Sequence, residues 1–137
     1  MFKHPGGPKR APRRRAAATV EFAICMPMIV LLVFGAVEAT SMIFLKQSLQ
    51  TAAYEASRQS IVANTTDAAA RDRAANILNA RRVRNFQITF PRGAPSSIVR
   101  GELVSVRVEA PSGINSPLVG RFLRSRDLAV ETVMMKE

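Results

Sequence analysis

From Phe22 to Val37 the chain carries no charged side chain, and Glu38 alone interrupts the uncharged run before Lys46. A membrane-crossing helix needs about 20 largely apolar residues. Phe22–Val37 alone falls a little short; with Glu38 near the far headgroups, the stretch extends to Leu45 and is long enough. The helical period then outlasts the apolar run. Met42, Leu45, Leu49, Ala53, Ala56 and Ile61 form one stripe, and Lys46, Gln47, Gln50, Glu55, Arg58 and Gln59 lie opposite. The pattern predicts one helix from Ala17 to about Ala63, apolar all round at first and amphipathic at its end. Asn64-Thr65-Thr66-Asp67 breaks the pattern and offers an N-cap to a second, alanine-rich helix over about Asp67–Arg81, with Ile77 and Leu78 its largest apolar residues.

Beyond residue 81 the period changes from that of a helix to that of a strand. Phe86, Ile88 and Phe90 alternate, and Pro91-Arg92-Gly93-Ala94-Pro95 turns the chain. Val104, Val106 and Val108 alternate next, with Ser105, Arg107 and Glu109 on the other face. A loop from Pro111 to Pro117 leads to Leu118–Leu123, a candidate short helix, and Leu128, Val130, Thr132 and Met134 give a last strand. The expected fold class is α+β: a long N-terminal transmembrane and stem helix, a second helix, and a small antiparallel sheet of about three strands. One sheet face packs on the stem, and the free face is charged. The organisation is a basic leader (1–16), a transmembrane and amphipathic stem helix (17–63) and a small α+β domain (64–137).

Charge adds an orientation. The chain has 137 residues and a net charge of +10, and Lys3, Lys9, Arg10, Arg13, Arg14 and Arg15 all precede the first acidic residue. Basic residues before the apolar run, with none close behind it until Lys46, place the N-terminus in the cytoplasm and export the rest. Arg13, Arg14 and Arg15 are the topology signal. Small residues at Gly35-Ala36-Val37 and Ala39-Thr40-Ser41 leave a conventional signal-peptide cut as a lesser alternative. A lipoprotein cut at Cys25 fits worse, because bulky Ile24 precedes it and the apolar stretch follows it.

Candidate chemistry is sparse. Cys25 is the single cysteine, so an intramolecular disulfide and an all-cysteine metal cage are both excluded. The sole histidine, His4, lies in the leader without ligand partners, so no metal site and no cofactor is expected. There is no Gly-rich phosphate loop and no histidine near a nucleophile; the sequence predicts no catalytic residue, no enzyme and no small-molecule substrate. With no Trp and one Tyr the chain lacks a stacking platform for bases, which argues against a nucleic-acid partner. Salt-sensitive DNA binding through the basic leader is the weaker idea that remains. Arg81, Arg82 and Arg84 form a small basic cluster where an anionic partner could bind, although cations also suit a helix C-terminus. Pro27 removes a backbone hydrogen bond and is expected to kink the helix.

The stretch Arg13-Arg14-Arg15-Ala16-Ala17-Ala18-Thr19-Val20-Glu21-Phe22-Ala23, continued through Pro27 and Phe34-Gly35 to Glu38, resembles the TadE/TadG-like minor pseudopilins. These belong to the Tad (tight adherence, Flp-type) branch of type IV pilus systems. The resemblance is sharp over about residues 13–60 and architectural beyond. It implies a pilin-like layout and a precursor cut on the cytoplasmic side by a prepilin peptidase, a membrane aspartyl protease. Taking Glu21 as the fifth residue of the mature chain puts the cut between Ala16 and Ala17. The family usually has glycine where Ala16 stands, and Phe22 takes the place of the aromatic that follows the glutamate. The implied partners are the membrane, the peptidase, other minor and major Tad pilins and the pilus assembly machinery. The implied location is the bacterial inner membrane, single-pass, with the C-terminal domain periplasmic or carried outside in the pilus.

Physical chemistry gives this order a rationale. A protease at the membrane face needs small side chains at the scissile bond, which Ala16, Ala17 and Ala18 supply, while the arginines hold the leader at the anionic surface. Cleavage frees an α-amino group close to Glu21. An unpaired carboxylate at membrane depth costs about 2.5–3.5 kcal/mol, so pairing Glu21 with a neighbour's amino terminus would favour docking in register. The simpler role for Glu21 is a favourable charge at a helix start, worth about 0.3–1 kcal/mol. Two functions stay open: a minor pilin built into or priming a Tad-type pilus for adhesion or biofilm formation, and an uncleaved single-pass protein whose domain binds a partner in a secretion or envelope complex.

Overall fold

The computed structural model describes residues 13–62, 65–116 and 126–137, and side chains from Ala16 onward. The leader up to Pro12 and the stretch read as a short helix, residues 118–123, lie outside the described residues. The chain divides into two units, Met1–Ala36 and Val37–Glu137.

Helix α1 runs from Arg13 to Ile61 and contributes to both units. It starts ahead of the expected Ala17. Arginine and alanine are strong helix formers, and nothing between Arg13 and Ala17 ends a helix. Pro27 lies inside α1 without terminating it. In the first unit every described side chain is exposed, including Phe22 at 59% and Leu32 at 73%.

The second unit is α+β. The α1 residues Leu45, Leu49, Ala52, Ala53 and Ala56 are buried along one stripe at helical spacing. Helix α2, Asp67–Ala80, is N-capped by Thr66, whose Oγ1 accepts from the Ala69 N–H at 3.3 Å. It buries Ala70, Ala74 and Leu78, spaced one turn apart. Three strands follow, β1 (Gln87–Thr89), β2 (Leu103–Pro111) and β3 (Asp127–Met135), with a 3-10 turn at Pro95–Ser97 and a short helix α3 at Ser112–Asn115. The sheet is antiparallel in the order β1-β2-β3, registered by Ile88 opposite Val108 and Val108 opposite Val130. Its inner face lays Val106, Val108 and Ala110 into one core with Leu49, Ala53, Ala74 and Leu78, flanked by Phe86, Ile88, Phe90, Leu128 and Val130.

Several details differ from the sequence expectation. Met42 is exposed and Ile61 only half-buried, while Ser48, Ser57 and Ser60 are fully buried on the stem. Ser48 and Ser60 satisfy their hydroxyls by donating to the carbonyls of Phe44 and Ala56, one turn back, at 2.8 and 2.7 Å. The free sheet face is charged only in part. Arg107 pairs with Glu109 at 3.3 Å, but Leu103, Val133 and Met135 expose apolar surface at the other end. Between them Ser105 is fully buried, and its Oγ has no partner among the described residues. Lys136 ties the sheet to the preceding loop by donating from Nζ to the carbonyls of Pro95 and Ile98, at 2.6 and 2.7 Å.

Candidate functional site

Within the first unit, α1 brings the residues singled out in the sequence onto one continuous helix. Arg13, Arg14 and Arg15 form its first turn, and Ala16 and Ala17 follow as exposed helical residues. The bond between Ala16 and Ala17 is thus helical. Glu21 is exposed, and no described side chain pairs with it. Phe22 lies next to it, equally exposed. Pro27 leaves the Ala23 carbonyl without its intrahelical donor, because a proline nitrogen has no hydrogen to give. None of the most apolar window of α1 is buried inside the protein, although by length and composition the helix can cross a membrane. A continuous apolar surface of this kind calls for a cover of lipid or of another helix.

Within the second unit, Glu38 is buried and its Oε1 accepts a hydrogen bond from Ser116 Oγ, so it is no simple interfacial charge. The contact fastens the first turn of this unit's α1 segment to the chain leaving α3. Asn115, the neighbour of Ser116, accepts from the Arg84 N–H at 2.8 Å and donates to the carbonyls of Arg84 and Pro111 at 3.0 and 2.9 Å. Ser112 completes the junction, its N–H donating to the Arg126 carbonyl at 3.0 Å and its Oγ accepting from the Arg126 N–H at 3.1 Å. In the sequence, Glu38 gave a signal, an acid closing an apolar run. Asn115 and Ser116, inside a polar loop, gave none. The candidate basic cluster is also assembled here, with Arg81 donating to Ser48 Oγ at 3.4 Å. Among the described residues no three His, Cys, Asp or Glu side chains gather as a metal site would require.

Residues 16–58 match the family model described as TadE-like protein. No curated protein and no solved structure matches the chain. The match begins at Ala16 and ends at Arg58, so it falls within α1 and includes Glu21, Phe22, Pro27 and Glu38. The motif, the apolar helix and the family match thus fall on the same residues, and over this segment the chain is similar to TadE-like proteins.

Proposed function

We propose that the chain is a minor pilin, made as a precursor, cut between Ala16 and Ala17 by a prepilin peptidase, and built into or priming a Tad-type pilus. One observation supports this above the rest: over residues 16–36 the TadE-like segment is an apolar helix whose described side chains are all exposed, with Glu21 near its start and no described side chain paired with that carboxylate. A helix assembled beside copies of related helices would cover the one and pair the other. In this reading Arg13–Arg15 hold the leader at the cytoplasmic face and are removed with it. The second unit lies on the periplasmic side and travels with the fibre, and no catalytic step belongs to the chain.

The helical backbone across Ala16–Ala17 favours a second reading, because a bond inside a helix must unwind before a protease can cleave it. In that reading the chain stays uncut, and its second unit binds a partner in a secretion or envelope complex. N-terminal sequencing of the membrane-extracted protein separates the two. A start at Ala17 is expected. An intact Met1, or a start beyond about Ala36, where a signal peptide would be cut, would overturn the pilin reading.

A further inference from the structure

Where the apolar run of α1 ends, at Thr40–Leu45, the second unit holds two adjoining clefts of about 290 and 440 Å³ that share Arg81. The smaller is lined by Thr40, Ser41, Phe44 and Leu45 of α1, by Arg81, Arg82 and Val83 after α2, and by Asn115. Among the described residues no carboxylate lines either cleft. The segment carrying the arginines is held in place. Arg82 stands in the left-handed region at φ 58°, uncommon for a residue with a side chain, and the Val83 N–H bonds the Leu78 carbonyl at 2.9 Å behind it. The Asn115 side chain clamps both backbone groups of Arg84. Beside the cleft, Met42, Ile43 and Phe44 expose apolar side chains. The surface therefore combines arginines on a held backbone, hydroxyls and an apolar flank at the turn where a spanning helix leaves hydrocarbon.

We propose that Arg81 and Arg82, with Arg84 at the rim, bind the phosphate of an anionic phospholipid headgroup in the leaflet next to the second unit. Guanidinium forks match phosphate oxygens. Thr40 and Ser41 line the same cleft, and exposed Ile43 and Phe44 suit the acyl boundary. Charge complementarity and the apolar flank together select lipid over a soluble acidic protein. Such a contact fixes the height of the second unit over the bilayer while the chain waits in the membrane. The proposal rests on α1 spanning a membrane.

The test uses the full chain in nanodiscs of phosphatidylcholine alone, or of phosphatidylcholine and phosphatidylglycerol in equal parts. Arginine modification by phenylglyoxal is read residue by residue by mass spectrometry. An arginine near an anionic surface gains about fivefold in association, so Arg81 and Arg82 should react about fivefold more slowly in the phosphatidylglycerol discs. Arg58, about 20 Å farther along α1 and beyond the screening length, should react equally in both. Arg81→Gln with Arg82→Gln should remove the protection of Arg84. Equal reaction in the two kinds of disc overturns the proposal, as does equal protection of Arg81 by glycerol phosphate in detergent, which would assign the cleft to a soluble phosphate. Failure of the chain to enter either disc overturns the membrane reading and this proposal with it.

Discussion

Glu21 and Glu38 stand at opposite ends of one apolar run, yet among the described side chains only Glu38 has a partner inside the chain. Removing Glu38 takes away the acceptor of the half-buried Ser116 hydroxyl, a hydrogen bond worth about 0.5–1.5 kcal/mol where water can reach the freed donor. Glu38→Ala should therefore lower the stability of the second unit by about that amount. The check is amide hydrogen exchange in the peptides covering β2 and α3. Glu21→Ala touches nothing in that unit and should leave the same exchange unchanged. Its expected defect is in assembly: normal membrane insertion, and loss of the chain from sheared pilus fractions. If the Glu21→Ala chain enters the fibre as the parent does, the carboxylate does not pair with a neighbouring amino terminus.

Among the elements, α2 fully buries Ala70, Ala74 and Leu78 and packs the half-buried Ile77 against the core, and of the fully buried three only Leu78 is large. Leu78→Ala should cost about 2–5 kcal/mol, since Ala52, Ala53 and Ala56 offer no bulk to fill the space. A fall in the urea midpoint for loss of β2 exchange protection measures it, and an unchanged midpoint would mean that α2 docks independently of the sheet. The two long helices and all three strands were legible in the sequence because Leu45, Leu49 and Leu78 keep the helical period and Val104, Val106 and Val108 keep the strand period, whereas the short α3 lies in the stretch read as a loop. Hydropathy misjudged positions where shape or a local bond decides. Ser48 and Ser60 are buried because a serine in a helix can bond the carbonyl one turn back, leaving a small side chain that lets other elements approach closely. Strand β1 is shorter than the alternation from Phe86 to Phe90 suggests, since Phe90 runs into Pro91, whose nitrogen cannot donate to a ladder. The junction of Glu38, Asn115 and Ser116 was out of reach, because it joins residues far apart in sequence through groups that carry no periodic signal.

For the whole molecule the decisive question is which side of the membrane holds the second unit, and the charges on the two sides of the apolar run compete over it. Six cations precede Glu21, three of them in Arg13–Arg15, whereas Lys46 is the nearest cation after the run. Orientation is set mainly by cations within about 15–20 residues of the membrane ends, a window that holds only Lys46 and Arg58 after Leu45 and excludes the Arg81, Arg82 and Arg84 cluster, so the leader should prevail. The measurement is cysteine labelling in a Cys25→Ser background, with Arg92→Cys as the reporter because Arg92 is exposed on the turn after β1. A membrane-impermeant maleimide should label that cysteine in spheroplasts without lysis. Replacing Arg13, Arg14 and Arg15 by serine should sharply reduce this labelling, because three cations lost from the leader leave Lys3, Lys9 and Arg10, farther from the membrane, to hold the orientation. Labelling of the parent reporter only after lysis would put the second unit in the cytoplasm, and with it the Arg81 cleft would face the inner leaflet.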